Sequence, residues 1–198
     1  MKTKQLWMSV FGLLCAFMAH AQVSEQDSLA RERIKLVQNN MYVLGAWAGA
    51  NIIQGTISAS NTHGAEHYLH QMNAYWNTVN LAIAGVGLLG IRKQLQKKHS
   101  LTSNLKAQYQ LEKILLLNTG LDLAYIATGF YLKERGTRLN NDRNKGYGNS
   151  LLLQGGFLLV FDLIQYGQHR RNTKWLEQRQ GKLELGLGGN GLALHYRF

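Results

Sequence analysis

The sequence predicts an all-α protein, an up-down bundle of four transmembrane helices that carries a C-terminal β-hairpin tail. Three observations predict it: long stretches almost free of charge, polar residues spaced three and four apart within them, and the absence of proline. The chain has 198 residues and no proline, where ordinary usage of roughly 5% would supply about ten. Uninterrupted helices follow more readily from such a sequence than a loop-rich or all-β fold.

Three segments are expected: a signal peptide at 1–21, a four-helix domain at 22–180 and the tail at 181–198. Lys2 and Lys4 precede an apolar run from Leu6 to Met18, and Ala19-His20-Ala21 supplies the small-x-small pattern read before cleavage. The only cysteine, Cys15, falls inside that run after Leu14, where lipoprotein processing would require a small residue. A mature chain would therefore lack cysteine, which excludes disulfides, zinc thiolates and thiol catalysis. If the run is not cleaved it stays as a membrane anchor.

The formal charge of +11 falls to +9 once Lys2 and Lys4 are removed. Export takes nucleic acid out of reach, leaving anionic lipid head groups or acidic envelope polymers as counter-charges. Hydrophobic residues at 45% and charged residues at 17% exclude a disordered chain, and the length excludes a multidomain machine.

Helices are predicted over 34–58, 66–92, 104–132 and 147–169. Glu66 is the only formal charge between Lys35 and Arg92, Asp122 the only one between Lys113 and Lys133, and Asp162 the only one between Lys145 and Arg170. Each helix can cross a hydrocarbon layer of roughly 30 Å, which takes about 20 residues. A soluble bundle turns a minority apolar stripe inward. Here the minority stripe is polar or small. It runs through Asn40, Trp47, Asn51, Gln54 and Ser58 on the first helix, and through Glu66, His70, Asn73, Asn77, Asn80, Ala84 and Gly87 on the second. Asn118, Asp122, Tyr125 and Gly129 continue it on the third, and Gly155, Asp162, Gln165 and His169 on the fourth. Amides in a membrane must find partners away from lipid, so this stripe should face the bundle interior. Gly45 and Gly49 add a G-x-x-x-G spacing for close helix approach, or simply make room for a bulky neighbour.

Tyrosines fit two interfacial belts, Tyr68, Tyr131 and Tyr147 at one end and Tyr42, Tyr109 and Tyr166 at the other. The basic residues oppose the simple threading. With an exported N-terminus the inside loops hold Lys133, Arg135, Arg138, Arg143 and Lys145. The outside segments hold more than twice as many, from Arg31 through Lys97 to Lys182. This inverts the positive-inside rule. Either the threading differs, or the apolar faces pack against other copies of the chain.

Past Gln180 the period becomes two: Leu183, Leu185 and Leu187, then Gly188-Gly189-Asn190-Gly191, then Leu192, Leu194, Tyr196 and Phe198. That pattern predicts a hairpin. Its last strand is similar to the closing strand of outer-membrane barrels, but two strands cannot close a barrel. The tail would pack on the bundle, pair with another copy, or act as an outer-membrane sorting signal.

Two constellations could carry chemistry. His63-Gly64-Ala65-Glu66-His67 matches H-x-x-E-H, in which two imidazoles bind zinc and the glutamate acts as base. The Asn61-Thr62-His63-Gly64 stretch reads as a turn, however, which would take His63 off the helical face of His67. Zinc at His63, Glu66 and His67 is the cofactor this motif would take, and a metal-dependent hydrolase there is the third functional reading. Haem is disfavoured because His67 and His70 lie at the opposite end from His99 and His169. Asp122 and Asp162, framed by Asn51, Asn77, Asn80 and Asn118, form either a structural polar network or a proton or cation site. Counted from the shared bundle end, Asp122 lies about 15 Å deep beside Asn77, and Asp162 about 22 Å deep near Asn80 and Asn118. A loose recurrence of Leu115 to Gly120 as Leu151 to Gly156 hints at a common pattern in the third and fourth helices.

With His63-Gly64, Gln71-Met72-Asn73, Trp76-Asn77, Val79-Asn80-Leu81, Asn118, Gly120, Asp122, Tyr125 and Phe161-Asp162 in view, the chain resembles a family of small four-helix envelope proteins from Bacteroidota. The resemblance runs over about 36–169 and brings no assigned activity. The expected role is non-enzymatic, structural or partner-binding. Membrane lipid, another copy of the chain or an envelope protein would be its partners, and the inner membrane its location, with the outer membrane as the alternative. A small proton or cation transporter using Asp122 and Asp162 is the second reading.

Overall fold

The computed structural model describes residues 2–97, 99–180, 184–188 and 191–195, with side chains over 30–97 and 99–178. Four helices make up the fold: α1 (Lys2–Asn61), α2 (Gly64–Leu95), α3 (Leu101–Arg138) and α4 (Asp142–Gln180). Each extends beyond its predicted limits, because polar residues at the ends remain good helix formers and no proline stops them. In the uncleaved chain α1 begins at Lys2, so the segment expected to be a leader is continuous with the first bundle helix.

Short polar connections set the antiparallel turns. At the end of α1, Ser60 Oγ and Asn61 Nδ2 donate to the Ile57 carbonyl at 2.7 and 2.8 Å, and Thr62 Oγ1 donates to Ser58 at 2.7 Å. These bonds satisfy carbonyls that the helix leaves open. Gly64 then adopts a φ of +61°, a conformation that favours glycine, and His63 is the extended residue before α2. Ser100 caps α3 by accepting from the Ser103 amide at 3.1 Å. At the far end of α3, Asn140 takes a φ of +50° while the Asn141 amide reaches back to the Gly136 carbonyl at 2.8 Å. That left-handed closure sends the chain directly into α4, whose first turn Asn141 Oδ1 caps at Asn144.

The helices run up-down-up-down as two antiparallel hairpins, α1 with α2 and α3 with α4. The hairpins join mainly through α2 and α4, which run parallel, and α2 and α3 scarcely touch. Glycines at the start of α4 allow close approach on two sides. A Cβ on Gly148 would stand 2.5 Å from the Lys133 amide and 2.7 Å from the Gly129 carbonyl, and one on Gly146 would strike the Ala65 carbonyl. The start of α4 is thus wedged between α3 and α2 at backbone distance. The G-x-x-x-G pair serves no such contact: a Cβ on Gly49 would meet nothing within 4 Å, while Ala48 between the two glycines is fully buried.

The interior is polar and the exterior apolar. The largest fully buried side chains include His169, Gln108, Gln154, Asn73, Asn77 and Asn104, with Leu176 the one large apolar member. Ile53, Val79, Val86, Leu89, Leu117 and Phe130 are all more than half exposed. Three helices, α2, α3 and α4, are long and apolar enough to cross a membrane.

Past Gln180 only the backbone of 184–188 and 191–195 is described, and the hairpin expected there is not supported as part of the fold. The side chains of these two segments, residues 189–190 and residues 196–198 lie outside the described residues. Among the described residues the architecture rests on the helices.

Candidate functional site

A spine of amides connects the two hairpins. Ser150 Oγ donates to Asn73 Oδ1 at 2.6 Å, and Gln154 Nε2 donates to the same oxygen at 3.1 Å and to Asn51 Oδ1 at 3.2 Å. Gln154 Oε1 in turn accepts from the Trp47 indole at 3.0 Å. Along α2, Asn77 Nδ2 donates to the Asn73 carbonyl at 2.8 Å and Asn80 Nδ2 to Asn77 Oδ1 at 3.2 Å. Helical spacing of three and four makes this possible, since it stacks Asn73, Asn77 and Asn80 on the face turned toward α4. Trp47 also stacks on Phe157, ring centroids 3.8 Å apart, so α1 grips α4 through both its polar edge and its ring face.

Asn80 leads from this spine into a cavity of about 240 Å³ in the cleft between α2 and α3. Asp122, Asp162, Asn80 and Asn118 supply its polar lining, Trp76, Tyr125 and Phe161 its aromatic walls, and Leu44 and Leu158 its apolar floor. Asp122 and Asp162 therefore both line one chamber. α3 and α4 pack closely, and residues of both polar stripes line the same cleft. Gly155 of α4 lies against the Asp122 carbonyl, where a Cβ would be 3.2 Å away. Asp162 Oδ1 accepts from Gln165 Nε2 at 3.2 Å, and Asn118 also hydrogen-bonds this carboxyl. Asp122 is 3% exposed, and its Oδ2 has no hydrogen-bond partner among the described residues. Leaving a buried acceptor so costs about 1–3 kcal/mol, more if it is charged.

A second polar cluster sits nearer the α2–α3 connection. Arg33, 4% exposed, donates to Asn104 Oδ1 at 2.6 Å and to Gln94 Oε1 at 3.0 Å. Burial pulls its pKa down from the ordinary arginine value. His169 Nδ1 donates to Gln108 Oε1 at 2.8 Å, Thr173 Oγ1 donates to Glu112, and Arg170 lies 3.5 Å from Glu112. Sequence reading missed Asn104, Gln108 and Glu112, because it ended the third stripe at Asn118. The same spacing of three and four extends it through Leu115 to Glu112, Gln108 and Asn104, all buried.

A family model described as a family of unknown function, DUF6992, matches residues 43–163. The chain belongs to that family. No curated protein and no solved structure matches it. The region shared with DUF6992 contains every residue lining the cavity, from Leu44 to Asp162, together with the amide spine. Arg33, Gln165, His169 and Thr173 fall outside it.

The H-x-x-E-H residues are dispersed within the DUF6992 region. His63 precedes α2 in extended conformation, Glu66 is exposed, and His67 Nδ1 bonds the Ala59 carbonyl at 2.7 Å. Among the described residues no group of three or more His, Cys, Asp or Glu side chains is arranged to hold a metal ion. Tyr68 and Tyr147 do share one end of the bundle, edge to face with centroids 6.0 Å apart.

Proposed function

We propose that the protein is a non-enzymatic integral membrane component of the cell envelope, exported on a leader at 1–21 that the basic start, the apolar run and Ala19-His20-Ala21 supply. The inversion of burial carries this reading. Asparagine, glutamine, aspartate and histidine fill the interior, while Ile53, Val79, Val86, Leu117 and Phe130 are turned outward. In water such a surface would be an aggregation hazard, and in lipid it is the ordinary exterior. The buried amides then fix which helix faces meet, and the exposed apolar faces are available to lipid, a second copy or a partner.

Carbonate extraction of membranes tests this. The protein should stay in the pellet and mass analysis should find Gln22 at the mature N-terminus; release into the supernatant would overturn the membrane assignment. Residues 181–198 are read as a hairpin appendage to the bundle. Deleting 192–198 and finding the inner- and outer-membrane fractions unchanged would remove the sorting-signal role.

A second reading, movement of a proton or cation through Asp122 and Asp162, draws on the cavity that both line. Flux through reconstituted vesicles that persists in Asp122→Asn would count against it.

A further inference from the structure

We propose that the cleft between α2 and α3 binds an organic ammonium ion, a primary amine bearing a short apolar substituent. Its charge would meet Asp122 and Asp162, and its carbon skeleton would pack against Trp76, Tyr125 and Phe161. The proposal rests on the membrane reading in one respect, that the apolar rim of the cleft faces lipid.

The cavity, about 240 Å³, has room for several heavy atoms, given that a water claims about 30 Å³ of liquid. Two carboxylates face it, with no lysine, arginine or histidine among the lining residues. Asp122 is almost fully buried and its Oδ2 is unpartnered, so the chamber contains an acceptor that the protein itself leaves unsatisfied. An alkylammonium offers three donors and the positive charge that the two carboxylates have no partner for in the lining. An anion would be repelled, and a neutral apolar guest would leave the deficit in place.

Aromatic walls separate an organic cation from a metal ion. Calcium takes six to eight oxygen ligands, and magnesium insists on near-ideal octahedral geometry. Here only four oxygen-bearing side chains other than the tyrosine converge, two of them amides. The faces of tryptophan, tyrosine and phenylalanine attract ammonium groups and the methylenes attached to them. Trp76 and Tyr125 close one end of the cleft edge to face, centroids 4.8 Å apart, and Phe161 continues the wall along α4. At the mouth, Val79, Ile83 and Leu121 are 61%, 53% and 45% exposed, an apolar rim over which the substituent can extend.

Titration of the purified full-length protein in detergent, followed by calorimetry, tests the site. Butylammonium chloride is the probe, and butanol, sodium chloride and magnesium chloride are the comparators. Butylammonium should bind saturably, and butanol, sodium and magnesium should not. Asp122→Asn and Asp162→Asn should each weaken binding about tenfold or more, the loss of a charge-assisted bond. Trp76→Leu should weaken it while helical content is kept, so the aromatic wall remains testable if an aspartate variant fails to fold. No saturable binding, equal binding of butanol, or binding of the metal ions in preference to the amine would each overturn the proposal. Because the titration is done in detergent, its failure in a protein that carbonate leaves in the membrane removes the site alone.

Discussion

Trp76 of α2 and Tyr125 of α3 meet edge to face, ring centroids 4.8 Å apart, across the cleft that otherwise keeps these two helices from packing. The contact links the two hairpins on the side where backbone packing does not. Its removal should cost stability through the pair itself. In a double-mutant cycle of Trp76→Leu and Tyr125→Leu, a coupling of about 0.5–1.5 kcal/mol is expected from unfolding in mixed detergent. Strict additivity would mean that the rings merely adjoin.

Asn73 Oδ1 accepts from both Ser150 and Gln154. Asn73→Ala strips two buried donors of their acceptor, and the expected loss is about 1–2 kcal/mol, toward the upper range for membrane hydrogen bonds. Asn61→Ala, which removes an exposed bond to the Ile57 carbonyl, is the comparison and should cost little. Equal losses from the two would show that the spine does not hold the hairpins together.

Two glycines on α4 should respond in opposite ways. Gly148 abuts the backbone of Lys133 and Gly129, which cannot yield as a flexible side chain would, whereas a Cβ on Gly156 would meet nothing within 4 Å. Gly148→Leu is expected to lose about 1–3 kcal/mol or fail to assemble, and Gly156→Leu to stay within about 0.5 kcal/mol. Size-exclusion profiles and melting in detergent would read both.

Orientation follows from export. In a Cys15→Ser background, Lys97→Cys lies in the connection between α2 and α3, and Arg138→Cys at the end of α3, both exposed. With the mature N-terminus outside, an impermeant maleimide should label position 97 in intact spheroplasts and position 138 only after lysis. The reverse result would mean that the chain threads as the positive-inside rule prefers.

How far the sequence could be read depended on what each feature requires. Helix existence needs only local pattern, and the polar stripe on α2 was visible because Asn73, Asn77 and Asn80 are spaced three and four apart. Helix ends were less legible. Schellman closure at Asn140 and the caps at Ser100 and Asn141 are set by a few dihedral angles, which composition signals only loosely. The lower half of the α3 stripe lies before Lys113, outside the charge-free span between Lys113 and Lys133, and the contacts of Glu112 with Thr173 and Arg170 are what place it inside the bundle.

By itself, the sequence determined that the chain forms four long helices, that their interior faces are polar, and that Asp122 and Asp162 are isolated charges within apolar spans. Periodicity and charge spacing are local properties of one strand of sequence, so no neighbour is needed to read them. Only the tertiary structure decided that α4 rather than α3 packs on α2, that Gly146 permits this approach while Gly148 seats α4 on α3, and that the two aspartates open into one chamber. Those facts depend on rotation and approach between helices, which are set by backbone contact at positions where a side chain is missing.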